Sequence, residues 1–216
     1  MEFENIKNKI LIENQYFGCV NYYSSLYKFS NILIEQCESW QKMSFRNRCM
    51  ILGANGLIDL TVPLQNGREQ KKMIRDVKID NHSLWQKQHW RSISSCYGKS
   101  AFFEFYKDWL ESFYEKKFVY LFDMDLEILF WLKSLLKIKA EIEMTDSFIK
   151  EYPEDTIDLR NKWLPKNFQS SSNNIHYNQV FETRNGFQPN LSVLDILFCE
   201  GPNAKSILSA NNSAFR

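Results

Sequence analysis

Three short segments near the start of the chain restrict its fold more than anything else in it. "NKILIEN" (8–14) and "NILIEQC" (31–37) set β-branched residues between polar flanks and read as strands. Between them, "VNYYSSLYKF" (20–29) puts Val20, Tyr23, Leu26 and Tyr27 at helical spacing. Strand, helix and strand in that order make a β-α-β opening, because a crossover helix returns the chain to lie parallel to its first strand.

The remaining elements add to this opening. "RCMILGANGLIDLTVPL" (48–64) has two apolar runs around an Asn-Gly pair and predicts a β-hairpin. The polar stretch 66–73 reads as a surface loop and "IRDVKID" (74–80) as another short strand. Helices are expected over 83–99, with Ser83 as N-cap, over 101–115 and over 123–137, followed by a strand at "AEIEM" (140–144). Residues 150–174 read as a long irregular connection and 175–190 as a short strand or turn. "LSVLDILFCEG" (191–201) is a helix with Asn190 or Ser192 as N-cap and Gly201 at its end, and "PNAKSIL" continues helically into a polar tail, 209–216. There is no internal repeat and no Gly- or Ser-rich linker, so one compact domain with a core over about 8–210 is expected. Its class is α/β or α+β, with a central mixed sheet and several amphipathic helices.

Charge and motifs exclude several functions. With 27 basic and 26 acidic residues the net charge is +1, which argues against nucleic acid as a partner. The five cysteines are widely spaced without a C-x-x-C pair, and three histidines without ligand spacing suggest no metal. Phosphate-cradling glycine loops, H-E-x-x-H and G-x-S-x-G are all missing, and nothing implies a cofactor. No export signal is visible, and the apolar run "FDMDLEILFWLKSLLKI" is broken by charges. The expected location is therefore cytoplasmic, without membrane insertion. Asp123 and Asp125 could form an acid and base pair, but sit where negative charge suits a helix start.

Three polar clusters remain. Tyr16 and the stretch Arg46-Asn47-Arg48 form the first; on a strand the two arginines would share a face and could grip one anion, or pair with Glu35, Glu38 or Asp59. In the second, His89 lies one helical turn from Trp85, as a core imidazole or as a base near neutrality. The third joins Gln179, Asn190, Ser192 and Asp195 around a helix start, which serves as a plain cap or as an anion site.

Several segments in one order carry a resemblance: "YFGCVNYY", the Lys-x-Ser-x-Arg-Asn-Arg run ending at Arg48, "NGLIDLTVP", "W-x-x-x-H-W-R-S-I" (85–93), "FFEFY", "FYEKK" and "GFQPNLSVLDILFCEGP". Over roughly Ile10 to Leu208 the chain resembles the WbqC-like family in its shorter, Bacteroidetes-type form. Longer members carry His-Gln-Pro-x-Tyr-Leu-Pro after the first strand; this chain has "ENQYFG" there, keeping only the tyrosine and the aromatic after it. The resemblance implies a role in surface-polysaccharide or O-antigen assembly and does not fix a reaction. The expected function is a transferase acting on an activated sugar or an acyl or aminoacyl donor. The alternative is a non-catalytic sugar-nucleotide-binding or assembly protein. On the transferase reading, His89 and Asp195 take catalytic parts. Arg46, Asn47 and Arg48 hold an anionic group, and Tyr16, Trp85, Gln179, Asn190 and Ser192 contact substrate.

Overall fold

A computed structural model describes residues 9–67, 69–170 and 174–210. The first eight residues and most of the polar tail, 211–216, lie outside it.

The expected β-α-β unit is present: β1 (Lys9–Glu13), α1 (Val20–Leu26) and β2 (Asn31–Glu35). Strands β1 and β2 are parallel, with Ile10 opposite Ile32 and Ile12 opposite Ile34. Two further strands, β5 (Glu141–Met144) and β6 (Thr156–Asp158), complete a sheet ordered β5-β2-β1-β6 in which every pairing is parallel. Ile10, Leu11 and Ile12 are all fully buried because β1 is an interior strand covered on both faces. The same covering explains why it reads as an unbroken apolar run and not as alternation.

The hairpin forms from β3 (Arg48–Gly53) and β4 (Gly56–Thr61), with Gly53 opposite Gly56. Gly56 has φ +113, which a side-chain-bearing residue rarely adopts. The expected single mixed sheet is corrected in one respect. Strand directions separate, and β3 and β4 stand as their own two-stranded sheet beside the parallel one.

Three amphipathic helices follow, α2 (Trp85–Tyr97), α3 (Phe103–Glu115) and α4 (Leu121–Leu135); α2 packs on β3 and on α3, and α4 packs on residues 74–76. Leu84, not Ser83, occupies the N-cap position of α2. The strand expected over 74–80 is instead a single 3-10 turn, Ile74–Asp76, followed by isolated bridges at Lys78 and Ile79. Its apolar residues Ile74 and Val77 are three apart, the repeat of such a turn, and both are buried. Beyond the long connection, α5 (Glu182–Asn185), α6 (Val193–Glu200) and α7 (Ala204–Ala210) close the domain. Ser192 caps α6, accepting from the Leu194 amide at 3.3 Å. Among the described residues no helix is long and apolar enough to cross a membrane.

Candidate functional site

The parallel sheet sends each strand's carboxyl end toward one edge, where ligands gather in open α/β sheets. Glu13 and Glu35 end β1 and β2, and both are buried. Between them the chain assembles a charged network. Arg46 Nε and Nη2 donate to Glu38 Oε1 at 2.8 and 2.5 Å, and its Nη1 donates to Asn161 Oδ1 at 2.9 Å. The Asn161 amide reaches Glu13 Oε2 at 2.8 Å, and Gln15 Nε2 donates to Glu13 Oε1 at 2.7 Å. Arg160 Nη1 binds Glu35 Oε2 at 3.0 Å, and Thr145 Oγ1 donates to the other oxygen at 2.7 Å. Burial pushes the Glu38 carboxyl above its ordinary range, and Arg46 pulls it partly back.

Arg46 and Arg48 do not point at one anion. Strand β3 begins only at Arg48, so the period-two argument does not apply across the pair. Arg46 turns inward to Glu38, while Arg48 Nη1 binds Asp59 Oδ2 at 2.8 Å across the hairpin. Asn47 lies between them and donates to the Val62 carbonyl at 2.9 Å. Asp123 sits in the first turn of α4, but Asp125 is buried and its Oδ1 has no hydrogen-bond partner among the described residues. Burial holds its carboxyl well above the usual carboxylate range, and Arg46 pulls it partly back.

The loop from β1 to α1 connects the other clusters. Phe17 holds φ +41, a strained value for an aromatic residue, and its carbonyl accepts from Ser192 Oγ at 2.8 Å. The Asn21 amide donates to Asn190 Oδ1 at 2.8 Å, and Asn190 Nδ2 donates to the Phe168 carbonyl at 2.7 Å. Asp195 accepts from the Tyr97 and Tyr177 hydroxyls at 2.6 and 2.7 Å and from Gln179 Nε2 at 3.0 Å. Gln179 and Asp195 are therefore brought together, in a buried bracket that ties α6 to the 175–190 segment.

Tyr16 and His89 also meet. The Tyr16 hydroxyl lies 2.8 Å from His89 Nδ1 and 2.6 Å from the Tyr114 hydroxyl. In the tautomer that carries its proton on Nε2, His89 Nδ1 accepts from the Tyr16 hydroxyl. Tyr16 has then used its proton, and Tyr114 must donate to it. The result is a directed chain, Tyr114 to Tyr16 to His89, with the Trp85 ring edge-on to the imidazole at 5.2 Å. Burial lowers the His89 pKa from 6.5 to about 4, so the ring is neutral at physiological pH.

That shift has a consequence for stability. Between pH 6.5 and 4 the unfolded chain protonates this histidine and the folded one does not, so stability falls as pH falls through that window. With His89 only 5% exposed, the loss is about 3 kcal/mol by pH 4. Glu38, Asp125 and Asp195 have raised values and act in the opposite sense. The comparison must therefore be made between wild type and His89→Gln. The wild type's stability relative to the variant is expected to decline from pH 6.5 to 4 in urea titrations; a constant difference would contradict it.

Tyr114 also lines a cavity of about 430 Å³ between the start of α2 and the end of α3. Asn81, Leu84, Gln86, Trp90 and Lys117 share its wall. None of these was singled out by residue chemistry. The signal was present in the matching segments, since "FYEKK" contains Tyr114 and Lys117, and "H-W-R-S-I" contains Trp90. Among the described residues no group of three or more His, Cys, Asp or Glu side chains is placed to hold a metal ion.

Comparison with known proteins places the chain. An uncharacterized protein of Mycobacterium tuberculosis, Rv1507c, is 25% identical over 236 residues, covering 94% of this chain and 98% of the relative. No solved structure matches. The model of the WbqC-like protein family matches residues 14–164 and 158–207, which include the whole β1–α1 loop, the charged sheet edge apart from Glu13, and the cavity. By that match the chain belongs to the WbqC-like protein family.

Proposed function

We propose that this protein is a transferase-type enzyme of surface-polysaccharide or glycoconjugate biosynthesis, acting on an activated sugar or an acyl or aminoacyl donor. One observation carries the reading: Tyr114 belongs both to the wall of the α2–α3 cavity and to the hydrogen-bonded chain that ends on His89. An acceptor hydroxyl bound there gives its proton to the Tyr114 oxygen as Tyr114 passes its own to Tyr16 and Tyr16 to His89 Nδ1. The freed oxygen pair attacks the donor carbon, and the donor's leaving group departs with its bonding electrons. No tyrosinate is needed, which matters because burial raises the pKa of both tyrosines well above 10.0. The charged sheet edge, the Asn190 and Ser192 contacts and the Asp195 bracket hold the loop that carries Tyr16.

A rate profile tests the proton route. His89 accepts only while neutral, so the acid limb of kcat/KM is expected near pH 4 and not near 6.5. A limb at 6.5 would remove His89 from the route.

The second reading is a non-catalytic sugar-nucleotide-binding or assembly protein. Internal partners already occupy Arg46 and Asp195, which favours it. Purified protein offered nucleotide sugars and acyl donors with sugar acceptors separates the two. Turnover supports the transferase, and saturable binding without turnover the alternative.

A further inference from the structure

We infer that a lysine-lined cavity at the carboxyl end of α4 binds a phosphate ester whose organic part is apolar. The inference goes beyond the transferase reading and does not depend on it.

The cavity holds about 290 Å³, at the small end of ligand sites, enough for a phosphate and one ring. Lys137 and Lys139, in the turn from α4 to β5, and Lys205, on α7, line it. Among the described residues no carboxylate lines it; Glu141, the acid nearest to Lys139 along the chain, is not part of the wall. None of the three lysines forms an ion pair with a described residue. A chain whose net charge is only +1 gathers three unpaired ammonium groups around one cavity, and that local surplus selects an anion.

The donors narrow the class. Each ammonium group has three N–H donors and binds phosphate as a point charge, without the fixed fork of a guanidinium. A phosphate monoester brings three terminal oxygens and a charge of about −1.5 to −2 at pH 7, against two oxygens and one charge for a carboxylate. Leu26, Phe29 and Ala140 supply the apolar part of the wall, so the group esterified to the phosphate is apolar.

The backbone at Lys137 points the same way. Helix α4 ends in two paired bonds, from the Ile138 amide to the Lys133 carbonyl at 3.0 Å and from the Lys137 amide to the Ser134 carbonyl at 3.1 Å. Lys137 thereby takes the left-handed position, φ +54, where glycine is the commonest residue. Glycine would relax the turn, whereas lysine keeps a charge on the cavity wall. The Tyr27 hydroxyl donates to the Leu136 carbonyl at 2.6 Å and fixes this turn against the end of α1.

The site is separate from the α2–α3 cavity. Lys117, on that cavity's wall, precedes α4 and Lys137 follows it, and the 15 residues of α4 span about 22 Å. The phosphate ester is therefore a second ligand and not the reacting group.

The test measures binding to the full-length chain by calorimetry, with phenyl phosphate as the probe and benzoate and inorganic phosphate as comparisons. Phenyl phosphate is expected to bind saturably, at least about tenfold more tightly than either. Lys137→Gly should weaken that binding about tenfold, the loss of one charged hydrogen bond, while the urea midpoint stays level or rises. Lys205→Glu should abolish it. Sedimentation with phosphatidic acid vesicles identifies the source of the phosphate: vesicle binding that Lys205→Glu removes assigns a lipid phosphate, and its absence beside phenyl phosphate binding assigns a free ester. No binding of phenyl phosphate, equal affinity for benzoate or inorganic phosphate, or indifference to both lysine substitutions would overturn the inference. Transfer plays no part in the readout, so the outcome is independent of the Tyr114 route.

Discussion

Arg46→Ala is expected to lose about 3–5 kcal/mol of folding stability, the cost of removing one partner from a buried ion pair. Arg46 is 0% exposed and Glu38 3%. The substitution strands the Glu38 carboxylate away from water and removes the contact to Asn161, which in turn positions its amide on Glu13. Glu13 and Glu35 lie close enough to raise the Glu38 pKa by repulsion, so the guanidinium also screens like charges from one another. A loss of this size is a large fraction of a typical domain's stability of about 5–15 kcal/mol. Removing both partners, as in Arg46→Met with Glu38→Leu, should be milder than the arginine change alone, because no buried charge is then left unpaired. Urea midpoints at constant slope provide the readout. A loss below about 1 kcal/mol for Arg46→Ala would mean that water or a rearranged partner rescues Glu38.

Much of the fold was legible in the residues because burial leaves periodic marks. The interior strands announced themselves as "ILI" runs, the hairpin by its Asn-Gly pair, and α2 to α4 by apolar repeats. Strand β6 escaped because it has three residues and pairs at the sheet edge, too short for a period to show. The charged network was half legible. "KILIE" and "NILIE" each close an apolar strand with glutamate, a sign that both acids meet at one edge, but their partners Arg160 and Asn161 come from the connection after β6. The pairing of Tyr16 with His89, 73 residues away, and with Tyr114, 98 residues away, follows from packing and leaves no local trace. Asp195 was read as catalytic and Gln179 as a substrate contact; the structure places both in one buried bracket, where Tyr97 and Tyr177 donate to the carboxylate.

The second large effect concerns turnover. Tyr114→Phe removes one hydroxyl and keeps the ring packed against Trp85, Trp90 and Phe113. The folded chain loses a single hydrogen bond, worth about 1 kcal/mol. Transfer, by contrast, loses the entry point of the proton route, and positioned general bases contribute about 10²–10⁴-fold. Tyr16→Phe should be comparably slow but less stable, because it leaves both His89 Nδ1 and the Tyr114 hydroxyl without partners. The single-turnover rate of Tyr114→Phe against wild type, at saturating acceptor and pH 7, is the most direct measurement. A fall of about a hundredfold or more, with a stability loss no larger than about 1 kcal/mol, is the predicted result. A rate within about twofold of wild type would contradict the claim that this cavity and its hydrogen-bonded chain are the active site.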